Sequence, residues 1–198
     1  MSGLSLWLSP PPSSALRPLV ARLAHAHHTE SFLPHATLVS DEIVPAISLE
    51  EVIEKTEQGV REWRQEGEGR LKLRFKDVRQ GPAYYQCVLA ALHPDPPLLA
   101  LHEAVVRQFH VSSPPPPYFP HLSLVYGDLS TQLKATIIDE LKADNEVVEV
   151  PGQDGEEGGV EIVGEGGFEP SVVLLVRTAG TCATWEVLAR IPLLEEEE

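Results

Sequence analysis

The chain has 198 residues and a mass of 21.7 kDa, is 42% hydrophobic, and carries a formal charge of −15 from 30 acidic against 15 basic side chains. That length suits one sizeable domain or two small lobes sharing a cleft. The acidic balance argues against a protein that tracks long nucleic acid through phosphate contacts. No apolar run is long enough to span a bilayer. The opening MSGLSLWLSPPP has no basic region and meets proline too early for a signal peptide, so an intracellular, cytoplasmic protein is expected.

The alternation Leu4-Ser5-Leu6-Trp7-Leu8 reads as a short strand, stopped by Pro10-Pro11-Pro12. Ser13 or Ser14 then caps a helix to about residue 28, with Leu16, Leu19, Val20 and Leu23 on one face. A strand is expected around Phe32–Val39. Ser48 and Glu51 form a capping-box pair for a helix to about residue 65, striped by Leu49, Val52, Ile53, Val60 and Trp63. Leu71, Leu73 and Phe75 alternate with basic residues, which predicts a strand with one wet face. Gln80-Gly81-Pro82 turns the chain into a strand over Tyr84–Leu92.

Asp95 is placed to cap a helix that opens on Pro96 and buries Leu98, Leu101, Val105 and Phe109. Ser112–Pro117 reads as a polyproline-like loop, leading to a strand around Pro120–Val125. Ser130 caps a helix to about residue 143. Residues 152–169, rich in Gly and Glu, read as a flexible solvated loop, and Glu195–Glu198 as a solvated tail. Val172–Arg177 and Trp185–Ile191 predict a closing hairpin. Cys87 and Cys182 lack metal-ligand spacing and read as buried free thiols.

One motif occurs twice. Pro34-His35-Ala36-Thr37-Leu38-Val39 matches Pro120-His121-Leu122-Ser123-Leu124-Val125 at the proline, the histidine, a hydroxyl residue, leucine and valine. Alternate side chains of a strand share a face, so His35 projects with Thr37, and His121 with Ser123. Either pair alone reads as a strand end with a half-buried hydroxyl. Two matching pairs facing one cleft supply what a phosphate ester needs: one imidazole to take a proton, another to give one, and hydroxyls for the phosphoryl oxygens.

These residues resemble the two-histidine (2H) phosphoesterases, and within them the plant and fungal cyclic phosphodiesterases. The likeness extends to Leu6-Trp7-Leu8, Phe32-Leu33, Tyr85-Gln86-Cys87-Val88, the His102–Phe109 helix, Tyr118-Phe119 and Tyr126, and Trp185–Arg190. It implies a single bilobal α+β domain over 1–198, with two antiparallel sheets flanking a central cleft and helices outside. It implies hydrolysis of 2',3'-cyclic nucleotides to 2'-phosphates, and of ADP-ribose 1'',2''-cyclic phosphate, a tRNA-splicing by-product, to ADP-ribose 1''-phosphate.

By the same likeness His121 is the base and His35 the acid, Thr37 and Ser123 hold the phosphoryl oxygens, and Tyr126 reaches the phosphate. A regular strand puts Tyr126 on the opposite face from His121, so a bend after Val125 is required. Trp7 is placed to stack on a base, with a core position as the plain alternative. No metal or cofactor is expected. The expected partner is a small cyclic phosphate, to a monomer without membrane span. Fungal relatives are associated with the Golgi apparatus, which gives a second location.

Two rival functions have a basis in the sequence. His25, His27 and His28 cluster, as in a metal-binding module, but no Cys, Asp or Glu completes a tetrahedral set at usual spacing, and a solvated helix end explains them. A two-histidine enzyme acting on RNA ends, as a 2'-5' ligase-like phosphodiesterase or an exonuclease, keeps the motifs but wants a basic stripe that this chain lacks.

Overall fold

The computed structural model describes residues 3–67, 70–110, 117–152 and 157–194. Among them it is α+β, with four α-helices, one eight-stranded sheet and a two-stranded ribbon. The sheet is built of β1 (Leu4–Leu8), β2 (Ala36–Val39), β3 (Leu73–Gln80), β4 (Val88–Leu92), β5 (His121–Val125), β8 (Gly167–Phe168), β9 (Val172–Arg177) and β10 (Glu186–Pro192). Their order is β10-β9-β1-β2-β5-β4-β3-β8, and every pairing is antiparallel. The ribbon is β6 (Val147–Val150) with β7 (Gly159–Ile162). The helices are α1 (Leu16–Ala26), α2 (Leu49–Glu66), α3 (Pro96–Gln108) and α4 (Thr131–Ala143). None is long and apolar enough to cross a membrane.

The two expected sheets are the four-stranded halves of this order. They meet at β2 and β5, the two motif strands, whose ladder holds one register pair, Ala36 opposite Leu122. Each half lends its helix to the other: α1, which precedes β2, packs on β5, and α3, which precedes β5, packs on β2. Alternation along the motif strands sorts the faces. Ala36, Leu38, Leu122 and Leu124 are fully buried in one core with Leu19, Leu101 and Val105 of the helices. The opposite face carries a separate small cluster of Trp7, Leu174 and Val176.

A seam with one ladder pair leaves backbone carbonyls that need other donors. Side chains supply them. The Tyr118 hydroxyl donates to the Thr37 carbonyl at 3.1 Å, and His102 Nδ1–H of α3 donates to the Leu38 carbonyl at 2.7 Å. The two donors stack on each other, 3.9 Å between ring centroids. His102 is thus structural. His25 and His28 are exposed, and His27 is half-buried.

The helix caps follow the sequence at Ser48 and Ser130, whose hydroxyls accept from the Glu51 and Leu133 N–H groups at 3.2 Å. Asp95 sits at the N-cap of α3, but its carboxylate accepts two bonds from Arg74 instead, at 2.9 and 2.8 Å. The start of α1 uses a long-range cap. Glu165 accepts from the Ala15 N–H at 2.6 Å and from the Ser14 hydroxyl at 2.7 Å.

Two expectations are corrected. Tyr84–Leu92 is not one strand: Tyr84–Gln86 form a 3₁₀ turn, and β4 begins at Val88. The turn is tied down by bonds from Gly127 N–H to the Tyr84 carbonyl and from the Ser123 hydroxyl to the Tyr85 carbonyl. The acidic Gly-rich segment is also not a loop throughout. It contains β7 and β8, and Val160, Ile162 and Phe168 are buried. A few apolar residues among glycines and glutamates bury one edge of an otherwise polar stretch. Residues 153–156 of that segment, Glu195–Glu198, and most of the Ser112–Pro117 loop (111–116) lie outside the described residues.

Candidate active site

The β2–β5 register decides how the motifs face each other. Counting one residue either way from Ala36–Leu122 in an antiparallel pair sets His35 opposite Ser123, and Thr37 opposite His121. All four side chains leave the sheet on the face away from the helices. Neighbouring strands extend the same face: Trp7 of β1 lies beside Thr37, and Leu174 of β9 beside Trp7.

Both imidazoles are held by one device. His35 Nδ1–H donates to the Leu33 carbonyl at 2.6 Å, and His121 Nδ1–H donates to the Phe119 carbonyl at 2.9 Å. Each bond spans two residues back along the chain, where it enters the strand. This tautomer leaves Nε2 of each ring as the working nitrogen. His35 is also clamped from the side. Its ring lies flat on Trp7 at 3.5 Å and meets Phe32 edge-on at 6.3 Å. Ahead of it, the Ser9 hydroxyl holds the Pro34 carbonyl at 2.8 Å.

Burial takes the His35 pKa down to about 3, against the raising effect of the Leu33 carbonyl, and the nearby His121 lowers it further. His121 is half-buried, and its pKa is likewise lowered, first by loss of water, with the Phe119 carbonyl opposing. In the free protein both rings are neutral near pH 7.

β5 ends at Val125, so Tyr126 lies outside its regular alternation of faces, and a bend follows at Gly127. Tyr126 is buried, stacks on Phe32 at 3.6 Å, and places its hydroxyl 3.5 Å from His35 Nε2. Burial pushes its phenol far above the ordinary range. The two motif hydroxyls differ. Thr37 lines the cleft, whereas Ser123 is buried and donates to the Tyr85 carbonyl at 2.7 Å.

A cleft of about 440 Å³ opens over this face, lined by Ser5, Trp7, His35, Thr37, Tyr85, Tyr126 and Trp185, and also by Ser40, Asp41, Glu42 and Thr178. The volume falls in the range of small-molecule sites. His121 and Ser123 are on the same sheet face but not in the cleft wall. Among the described residues that line it there is no lysine or arginine, so the donors that an anion meets are hydroxyl groups and the His35 ring, with the Asp41 and Glu42 carboxylates also in the wall.

The stacking surface expected of Trp7 is already used. Trp7 is 3% exposed, one face is covered by His35, its edge meets Trp185, and its N–H donates to the Ser5 hydroxyl at 3.0 Å. Sequence reasoning gave no role to Tyr85 and Trp185, which line the cleft from opposite halves of the sheet. Tyr85 lies in a 3₁₀ turn and Trp185 directly follows another, Cys182–Thr184, and only the long-range strand order brings them together. Among the described residues no group of three or more His, Cys, Asp or Glu is placed to hold a metal ion.

Comparison with curated proteins finds no match. Among protein families, the model of the cyclic phosphodiesterase-like proteins matches residues 1–193. That span takes in both motif strands, all four helices and the turns that carry Tyr85 and Trp185, and it leaves only the last five positions outside. The chain belongs to the cyclic phosphodiesterase-like protein family.

Proposed function

We propose that the cleft hydrolyses small five-membered cyclic phosphodiesters, converting nucleoside 2',3'-cyclic phosphates to 2'-phosphates and ADP-ribose 1'',2''-cyclic phosphate to ADP-ribose 1''-phosphate. The observation that supports this reading is the β2–β5 register, Ala36 opposite Leu122, from which strand alternation sets His35 across from Ser123 and Thr37 across from His121. A strained cyclic phosphate needs little beyond proton transfer at both apical oxygens and donors for the equatorial ones.

In the proposed step a water oxygen bonds to phosphorus as one imidazole Nε2 takes its proton. The bond from phosphorus to the ribose 3'-oxygen breaks, and the second imidazole gives that oxygen a proton. Family resemblance makes His121 the base and His35 the acid. Because both rings are neutral in the free protein, the acid's proton is taken up with the substrate. The phosphate anion raises the pKa of the imidazole beside it. Thr37 donates to a phosphoryl oxygen directly. Ser123 does so after releasing the Tyr85 carbonyl, and Tyr126 meets the same oxygens from beside His35.

The test combines variants with a change of leaving group, in the presence of EDTA. His35→Ala and His121→Ala each lower kcat on a cyclic mononucleotide by roughly 10²–10⁴-fold. Catechol cyclic phosphate releases a far more acidic alcohol, which departs without a proton, so it restores rate to the acid variant alone. Rescue of His121→Ala instead of His35→Ala reverses the two roles. Near-normal turnover in either variant, or activity lost to EDTA and restored by a divalent ion, overturns the mechanism. Faster cleavage of a cyclic-phosphate-ended RNA at low salt replaces the substrate class with RNA ends.

A further inference from the structure

Tyr85 stands in the 3₁₀ turn ahead of β4, lines the cleft with His35 and Thr37, and is 51% exposed. Its ring meets Tyr84 at 80° and 5.0 Å, Tyr126 at 86° and 5.2 Å, and Trp185 at 41° and 5.9 Å. Three aromatic neighbours hold it, and none lies parallel to it. Of the other aromatic rings of the cleft, Trp185 is half-buried and tilted against its neighbours, and the remaining two are spent. Trp7 is covered by His35, and Tyr126 is 4% exposed with Phe32 stacked upon it. A flat guest held between Tyr85 and Trp185 would need about 7–8 Å, two carbon–carbon contacts. Their centroids are 5.9 Å apart, so a guest stacks outside the pair and not within it.

We infer that Tyr85 is the platform on which the planar heteroaromatic group of the substrate stacks, with Trp185 as its buttress. The inference rests on the cyclic phosphodiesterase reading and names the substrates within it: cyclic phosphates that carry a nucleobase, in preference to those of a bare polyol. The platform is fixed before substrate arrives. Its carbonyl accepts from Ser123 at 2.7 Å, and the preceding carbonyl accepts from the Gly127 N–H at 3.0 Å. A ring already held loses little freedom when a base settles on it. Stacking tolerates any base, because each presents a π-face.

The experiment compares kcat/KM for adenosine 2',3'-cyclic phosphate and for glycerol 1,2-cyclic phosphate, which has no base. In Tyr85→Ala the ratio of the two falls about 5- to 150-fold, the range that loss of one base stack produces. The fall comes through KM. Tyr85→Phe keeps the ratio, and Tyr85→Leu, apolar but not flat, does not. An unchanged ratio in Tyr85→Ala, or equal loss on both substrates, overturns the platform while leaving the hydrolysis standing. If the wild-type protein hydrolyses neither substrate, the reading of its activity fails, and the platform is judged by binding. Adenosine 2'-phosphate then loses affinity in Tyr85→Ala and inorganic phosphate does not. Equal affinity of the two proteins for adenosine 2'-phosphate overturns it.

Discussion

The indole of Trp7 and the imidazole of His35 lie 3.5 Å apart and 6° from parallel. The indole is itself held, because its N–H donates to Ser5, and the Ser5 hydroxyl donates to the Val39 carbonyl at 3.1 Å. A chain of contacts thus runs from β2, through β1, and back to the ring that precedes β2. The arrangement fixes the imidazole plane without using either ring nitrogen.

Trp7 is therefore expected to act through His35. Trp7→Leu removes the flat support and lowers kcat by about 10- to 100-fold, the scale at which small misplacement of a reacting group is felt. KM changes little. Trp7→Phe recovers part of the loss. Steady-state kinetics decide the matter, since a Trp7 that stacked on the base would show its effect in KM with kcat spared.

The two motif hydroxyls should separate in their effects. Thr37→Ala removes a donor that faces the cleft, and kcat falls by up to about 10²–10³-fold with stability held. Ser123→Ala removes a catalytic-face donor and also strips the Tyr85 carbonyl of its partner. It costs about 1 kcal/mol of stability in addition to activity. Denaturant midpoints beside kcat values test this: equal midpoints for the two variants contradict it.

The lowered His35 pKa makes a claim about stability and pH. The folded protein keeps this ring neutral down to about 3, whereas the unfolded chain protonates it near 6.5. Between those values the unfolded state binds more protons, so stability rises with pH and is lost as pH falls from 6.5 towards 3. His121 and His102, also lowered by burial, act in the same direction. The acid loss amounts to a few kcal/mol, and His35→Asn makes it smaller. Urea unfolding at pH 7 and pH 4.5 measures it, and an equal loss in the variant refutes the assignment. For the same reason the optimum of kcat/KM lies at lower pH than that of kcat, because bound phosphate raises the proton-bearing imidazole.

Glu165 gives the acidic segment a structural task. It accepts from the first N–H of the α1 turn and from Ser14, and it follows a tight turn in which Val163 has φ 47° and Gly164 φ 80°. A β-branched residue in the left-handed region is strained, so the turn is held by what surrounds it. Glu165→Ala takes the acceptor from the Ala15 N–H, leaves the start of α1 with only the Ser14 hydroxyl on the Leu16 N–H, and costs about 0.5–2 kcal/mol. Thermal unfolding reads the change, and an unaltered midpoint removes the cap from the account.

Much of this fold was legible because its signals are local. The caps at Ser48 and Ser130, proline at the start of α3, the alternation of β3 and the repeated motif each need only a few neighbouring residues. What stayed hidden depends on partners far along the chain. Asp95 has the residue type and place of a cap, yet Arg74 of β3 takes its carboxylate. Tyr84–Gln86 have strand-forming side chains, yet Ser123 and Gly127 bend them into a turn. Trp7 is an aromatic in the right strand for stacking, and nothing local says that a histidine, not a base, lies against it. The seam itself is one register pair between strands separated by α2, β3, β4 and α3.

The exchange of helices across that seam bears on where the polypeptide can be divided. A sheet joined by one ladder pair looks like a natural boundary between modules. Severing the chain there as independent pieces would leave β2 without α3, and β5 without α1. Each fragment would present Ala36 and Leu38, or Leu122 and Leu124, bare to water, with an unpaired edge beside them. Circular permutation keeps all four elements on one chain and can spare the molecule. Autonomous halves built on this pattern would need a second copy to supply the missing helix. A homodimer with the present seam as its interface answers that need.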